Sequence, residues 1–408
     1  MTVQLKDIEA ARKAISDAIQ PTPCVYSATL SKITGAKVYL KMETAHFTAS
    51  FKERGALNKL LTLDAKTRKH GVIAMSAGNH AQAVAYHATR LGIPSTIVMP
   101  SYTPTVKVKN TGILGANVEL VGDDLDEARN YAVKLGKEKA LSFVHPYDDR
   151  HVIAGQGTLA LEIFEQVQGL DMIIVPIGGG GLIGGIATAS KAISPKTQII
   201  GVQSERYPAV AQMLSGKTVS CGKATLAEGI AVKHPGKLTL EIIKRLVDKV
   251  QVVSEELIEQ AILLMLEIEK AVIEGAAGAS LAELLARPKA YKNKKICLIM
   301  SGGNIDLIAL ASVINRGLVR KNRLVRIHLS LPDQPGALSK VVGIIAHANA
   351  NIEEIHHHRA FSGLPVQSTQ VEFILQTRGS EHVDEILAEL NVAGYNANIV
   401  PLFGKPGK

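Results

Sequence analysis

Ile174-Val175-Pro176-Ile177-Gly178-Gly179-Gly180-Gly181-Leu182-Ile183-Gly184-Gly185 reads as a short apolar strand, a run of four glycines and the start of a helix that continues through Ala192. With no side chains to crowd the turn, its backbone N–H groups can converge with those of the helix N-terminus on a single anion. Four successive glycines suit a monophosphate. The same stretch holds the spacing of a dinucleotide fingerprint, Gly179-x-Gly181-x-x-Gly184, with Glu205 at the end of the next strand. Position counts against that reading, because the fingerprint normally opens the first βα unit of its domain and this one lies mid-chain.

On both sides the strand-loop-helix pattern repeats. Lys37 to Lys41, Val72 to Met75, Ser95 to Met99, Asn117 to Val121, Met172 to Val175, Gln198 to Val202 and Lys295 to Met300 are short apolar runs, most followed by a polar or glycine-rich loop and a helical stretch. Such runs alternating with helices predict an α/β fold, a doubly wound parallel sheet with helices on both faces and ligands beyond the carboxyl ends of the strands. A linker is expected at 316–323, where Asn315-Arg316-Gly317 precedes the basic run Arg320-Lys321-Asn322-Arg323. The first domain is then 1–315, in two α/β subdomains, the smaller spanning roughly 45–150. Beyond the linker, residues 324–408 follow the order βαββαβ of a ferredoxin-like domain: strands at Val325 to Leu331, Ile352 to Arg359, Thr369 to Thr377 and Ala397 to Val400, with helices at Pro335 to Ala348 and His382 to Leu390.

The 408 residues are 46% hydrophobic, enough for sizeable cores, and contain no apolar stretch of membrane-spanning length. With no secretory leader at the N-terminus either, a cytoplasmic protein without a membrane partner is expected. Three widely spaced cysteines, Cys24, Cys221 and Cys297, imply reduced thiols. The net charge of +9 is spread along the chain, and aromatics are only 4%, so the basic balance points to anionic small ligands and not to nucleic acid. No metal site is expected: His356-His357-His358 are consecutive strand residues whose side chains alternate between faces.

Thr48-Ala49-Ser50-Phe51-Lys52-Glu53-Arg54-Gly55 brings an amine to the same region. Ser50 and Glu53 stand at capping-box spacing, predicting a helix from Ser50 with Lys52 in its first turn. The helix dipole and Arg54 would both disfavour an ammonium there, and Phe51 would shield it from water, leaving Lys52 a candidate Schiff-base nucleophile. Read singly, Lys52 is an ordinary surface lysine; its partners decide. Ser76-Ala77-Gly78-Asn79-His80 lies between a strand and a helix and can present donors to a carboxylate or ring oxygen. Ser301-Gly302-Gly303-Asn304 also follows an apolar strand, and Ser301 can bond a heterocycle nitrogen; each serine could equally be a helix cap. One amine, an anion cradle and two polar loops on one sheet edge suit an aldehyde cofactor with a phosphate.

These motifs, with His145-Pro146-Tyr147-Asp148-Asp149 and Gly155-Gln156-Gly157-Thr158, resemble the threonine dehydratase (threonine ammonia-lyase) family, pyridoxal 5′-phosphate enzymes of fold type II, the tryptophan synthase β fold. The resemblance implies that Lys52 carries the cofactor as a Schiff base, Phe51 packs on its ring and Asn79 bonds its ring hydroxyl. It also implies that Gly178, Gly179, Gly180, Gly181 and Leu182 hold the phosphate, and that Ser301 faces the pyridine nitrogen. Ser76, Ala77, Gly78, Asn79 and His80 would take the carboxylate of an amino-acid substrate. The implied reaction is elimination of water from L-threonine or L-serine, with Lys52 as the base at Cα, giving 2-oxobutanoate or pyruvate and ammonia. Related serine racemases share most of these motifs but have a serine where this chain has Ala77 and a metal-binding glutamate where it has Gln203. Glu228 stands where the family usually has aspartate.

The second domain resembles an ACT domain. That implies an amino-acid effector such as isoleucine or valine at Asp333, Gln334, Pro335, Gly336, Ala337, Leu338, Asn351 and Ile352, bound where two such domains pair in a homodimer or homotetramer.

Overall fold

Met172–Pro176, the strand that feeds the glycine run, is buried along nearly its whole length inside a six-stranded sheet. The computed structural model describes residues 2–358, 365 and 367–400. The sheet order is Cys24–Tyr26, Lys37–Met42, Lys295–Met300, Met172–Pro176, Gln198–Ser204 and Lys249–Val253. All neighbours are parallel except the edge strand Cys24–Tyr26, which runs antiparallel to Lys37–Met42. A strand apolar on both faces cannot leave either to water. Ile173, Val175 and Ile177 accordingly share a core with Ile153 and Ile163 of the helix Arg150–Gln166 and Ile183 and Ile186 of the helix Gly181–Ile193. The small-residue helix Gly275–Ala286 packs on the same strands.

A second, fully parallel sheet, Asn117–Leu120, Ser95–Met99, Val72–Met75 and Ser142–Phe143, forms the smaller α/β layer. Cys24–Tyr26 and Ser142–Phe143 are three and two residues long, too short to show a period in the sequence. The Gly155-Gln156-Gly157-Thr158 motif proves to be a helix crossing. A Cβ on Gly155 would lie 2.7 Å from the Cα of Gly55, so only glycine lets Arg150–Gln166 cross Lys52–Leu61 this closely, and the Gly55 N–H donates to Gln156 Oε1 at 3.2 Å.

The chain divides between Asp306 and Leu307, earlier than the expected linker. The helix Leu307–Arg320 runs through Asn315-Arg316-Gly317, burying Val313 and Gly317; its apolar periodicity outweighs the turn-forming residues there. In the second unit the expected βαββαβ order is present: Leu324–Pro332, Ala337–His347, Asn351–His358, Ser368–Gln376, Ser380–Val392 and Asn398–Ile399. The four strands form an antiparallel sheet with Asn351–His358 at one edge and Asn398–Ile399 at the other. Val325, Ile327, Leu329 and Leu331 alternate inward against Val341, Ile345 and Ile386. Arg359, expected to end its strand, and residues 401–408 lie outside the described residues. No helix among the described residues is long and apolar enough to cross a membrane.

Candidate active site

Lys52 is the first residue of the helix Lys52–Leu61, so the helix begins two residues later than the capping-box reading predicts. Glu53 reaches back past Ser50: its carboxylate accepts the backbone N–H and hydroxyl of Thr48 and meets Nε2 of His87 at 3.1 Å. Ala49 takes a left-handed φ of 51°, and Ser50 bridges to Gly302. Phe51 N–H donates to the Ser301 carbonyl at 3.1 Å, and Gly303 N–H to the Ala49 carbonyl at 2.9 Å. The loop carrying Lys52 is thereby zipped to the end of the strand Lys295–Met300, where Ser301 is buried. The next helix starts only at Leu307, so Ser301 does not cap it.

The Lys52 amine donates to the Pro146 carbonyl at 2.7 Å and lies 5.1 Å from the centroid of the Phe51 ring. Burial strips it of water and lowers its pKa from 10.5 to about 8, with the Glu274 carboxylate opposing the shift. Arg54 plays no part in this. Its guanidinium is buried in the opposite direction between Glu43 (Nε–Oε2 2.7 Å, Nη2–Oε1 2.9 Å) and Glu162 (Nη2–Oε2 2.9 Å), and Glu162 also holds Lys41 at 2.7 Å. Against the upward push of burial, the charge and hydrogen bonds of Arg54, with His46, hold Glu43 well below the usual carboxylate range.

Asn79 opens the helix Asn79–Arg90, and its amide is committed on both sides. Nδ2 donates to Glu274 at 2.9 and 3.0 Å; Oδ1 accepts from Asn304 Nδ2 at 2.7 Å, and that same amide also reaches the Thr48 carbonyl at 2.8 Å. The Lys52, Asn79 and Ser301 loops therefore meet in one place. Glu274 is a site residue that sequence reasoning did not find. Burial lifts it to about 7, only partly offset by the Asn79 hydrogen bond and the charge of Lys52. The available signal was a carboxylate at the N-cap position of the helix Gly275–Ala286, whose first five residues are all glycine or alanine.

The glycine run reaches Lys52 through His145-Pro146-Tyr147. The Tyr147 ring lies flat against Gly179, where an added Cβ would stand 2.2 Å from the ring carbons, and its hydroxyl donates to the His234 carbonyl at 2.8 Å. His145 Nδ1 accepts the N–H groups of Tyr147 (3.3 Å) and Asp148 (2.8 Å); burial pushes the ring down to about 4, so it is neutral with its proton on Nε2. Gly180, at φ 95°, caps the helix Gly181–Ile193, whose first-turn N–H groups have no acceptor within the helix.

The remaining site residues of the sequence reading are placed as follows. The His80 ring turns into the core, with Nε2 at 2.8 Å from the Val144 carbonyl and burial driving its pKa to about 3, so it offers no cation to a carboxylate. Ser76, Ala77 and Gly78 stay half-buried in the loop, where Ser76 Oγ accepts the Gly78 N–H at 3.2 Å. In the second unit, Asp333 to Leu338 follow Pro332, which pairs with Ser368, whereas Asn351 pairs with Gln376 and Gln376 with Leu324. The expected effector residues thus sit at opposite ends of one sheet, and a single small ligand cannot touch both sets within one chain. Glu228 ion-pairs with Lys107 at 2.6 Å. No group of three or more potential metal ligands is clustered among the described residues.

A half-buried amine with a lowered pKa, a glycine cradle closed by Tyr147, and an amide and a hydroxyl on adjoining loops fit an aldehyde cofactor carrying a phosphate. The comparisons agree. A family model described as pyridoxal-phosphate dependent enzyme matches residues 15–302, and one for the ACT domain matches residues 325–393. The chain is 44% identical over 400 residues to the L-threonine ammonia-lyase of Thermotoga maritima, covering 98% of this chain and 100% of that one. Its structure is similar to the processed form of threonine deaminase isoform 2 from Solanum lycopersicum, with TM-score 0.73 and 35% identity over 76% of this chain and 91% of that one. It is also similar to serine racemase from Dictyostelium discoideum, with TM-score 0.70 and 35% identity over 75% of this chain and 100% of that one. These matches displace the dinucleotide reading of Gly179, Gly181 and Gly184. Glu205 instead accepts the Glu255 N–H at 3.3 Å.

Proposed function

The chain belongs to the pyridoxal-phosphate-dependent threonine ammonia-lyase family, and from that premise we propose that it removes water from L-threonine, and from L-serine, to give 2-oxobutanoate or pyruvate with ammonia. The observation that carries this reading is Lys52, a desolvated amine held at the Pro146 carbonyl between the Ser301 and Asn79 loops. Lys52, Phe51, Asn79, Gly178 to Leu182 and Ser301 would hold the cofactor. When bound, pyridoxal 5′-phosphate supplies an electron sink at the substrate nitrogen.

The chain's own residues supply the rest. Lys52 Nζ, lowered to about 8 so that a substantial share is neutral amine near that pH, takes the proton from the substrate Cα. The Ser76 to Asn79 loop, at the start of a helix, holds the substrate carboxylate through the N–H groups of Ala77 and Asn79, since the Ser76 N–H is committed to the Val98 carbonyl and that of Gly78 to Ser76 Oγ. Ser301 is a neutral hydroxyl and brings no charge to the ring nitrogen, which favours prompt loss of the β-hydroxyl over slower alternatives. Ala77 offers no hydroxyl that could return a proton to the opposite face. The β-hydroxyl leaves as water on taking up one proton, which balances the one Lys52 removed from Cα, and addition of one water then releases the nitrogen as ammonia.

The likeness to a serine racemase supports a second reading, racemisation of serine. Ala77 argues against it, and the Gln203 amide is occupied: Oε1 accepts the Ala211 N–H at 2.9 Å and Nε2 reaches the Ile177 carbonyl at 3.4 Å. For the ACT domain we assign an amino-acid effector, isoleucine or valine, bound where two chains pair in a homodimer or homotetramer. Pairing would let the two separated effector segments face one ligand. The test is chromatographic detection of 2-oxobutanoate from L-threonine with and without isoleucine. Release of 2-oxobutanoate, with a rate that isoleucine changes, is expected; D-serine from L-serine with no 2-oxobutanoate would overturn the reading.

A further inference from the structure

The glycine run is braced by a helix that the reaction above does not use. Thr239 is buried in the first turn of the helix Lys237–Leu246, and its hydroxyl donates to the Gly179 carbonyl at 2.6 Å. The Gly236 carbonyl is a longer alternative for the same proton at 3.1 Å, while the Gly236 N–H reaches the Gly179 oxygen at 3.3 Å. No peptide bond among the described residues is cis. In the planar trans unit joining Gly179 to Gly180, the N–H therefore points opposite to the carbonyl. Holding the carbonyl against the Thr239 helix turns the Gly180 N–H to the side that helix does not cover, at the mouth of Gly181–Ile193 where an anion is favoured. The surroundings leave little room to flip: a Cβ on Gly180 would stand 2.8 Å from Thr239 Cβ, and Tyr147 closes the face of Gly179.

The brace is itself anchored. Asp148, next to Tyr147, accepts the N–H of Lys237 at 3.0 Å and of Thr239 at 3.2 Å, fixing the start of the helix. One short segment thus presents the Pro146 carbonyl to Lys52, the Tyr147 ring to Gly179 and the Asp148 carboxylate to the helix of Thr239.

We infer that Thr239 is a positioning residue for the cofactor phosphate: through the Gly179 carbonyl it sets the peptide that presents the Gly180 N–H to a phosphate oxygen. The inference rests on the glycine run being the phosphate site. It is tested by titrating the cofactor-free full chain with pyridoxal 5′-phosphate and with pyridoxal, which lacks the phosphate, in wild type, Thr239→Ser and Thr239→Val. Wild type and Thr239→Ser should strongly prefer the phosphorylated form. Thr239→Val should lose roughly tenfold of that preference with pyridoxal affinity unchanged, the scale of one charge-assisted hydrogen bond. Thr239→Ala removes the hydroxyl without a branched replacement and gives the same readout if Thr239→Val does not fold. Equal weakening of both ligands, or no change in either, would show that Thr239 only supports the fold and would overturn the inference. If wild type does not distinguish the two ligands, it is the assignment of the glycine run that fails.

Discussion

Replacing Lys52 by methionine keeps most of the side-chain volume and removes a charge that folding must strip of water. Lowering the amine from 10.5 to about 8 corresponds to about 3 kcal/mol against the folded state, at about 1.4 kcal/mol per pH unit. Lys52 is only half-buried, so solvent screening reduces that figure, and the hydrogen bond to Pro146 that methionine loses is worth about 1 kcal/mol. The net expectation is a gain of about 1–2 kcal/mol. The sign follows from a folded pKa below the unfolded one: the penalty is full below about pH 8, shrinks as pH rises from there to 10.5, and is absent above. In calorimetric melting without cofactor, Lys52→Met should raise the midpoint by roughly 2–4 °C at pH 6.5 and by little at pH 10.5. Turnover should vanish. A variant melting at or below wild type at pH 6.5, or showing the same difference at both pH values, would refute the idea that burial tunes this amine.

The buried carboxylate of Glu274, raised to about 7, disfavours the folded state above that pH and is relieved as pH falls toward 4.5. Glu274→Gln should therefore be the more stable protein at pH 8, with the gap closing by pH 5 in the same melting experiment. It should also move the pH midpoint for cofactor capture by Lys52 downward, since Glu274 raises that amine. Gly179→Ala places a Cβ against the Tyr147 ring and should weaken cofactor binding by roughly 10-fold to 100-fold, read by titration, as overpacking of about 1–3 kcal/mol implies. Arg54→Met leaves Glu43 and Glu162 buried without their main partner and should destabilise the protein by about 3–5 kcal/mol, measured by denaturant unfolding near pH 7. Ala77→Ser should add D-serine formation from L-serine, detected by chiral chromatography, that wild type lacks.

What the sequence made legible was local. Apolar runs such as Met172–Pro176 and Gln198–Ser204 announced parallel strands, and Gly178 to Gly181 announced an anion cradle, because period and turn chemistry are written in neighbouring residues. Less visible were contacts between distant segments. Glu274 meets Asn79 across 195 positions, and Tyr147 closes on Gly179 with no motif that says so. The capping-box spacing at Ser50 and Glu53 was overridden by Thr48 and His87, which satisfy the carboxylate in the fold. The helix through the segment read as a linker was hidden for the opposite reason: Asn315 and Gly317 are weak helix formers carried by an amphipathic helix.

The most direct test of the account is where the cofactor attaches. Borohydride reduction of the loaded protein, followed by peptide mass spectrometry, should place the pyridoxyl-phosphate mass on Lys52 alone, and Lys52→Ala should show neither that label nor 2-oxobutanoate from L-threonine. A label on another lysine, or threonine turnover surviving in Lys52→Ala, would contradict it.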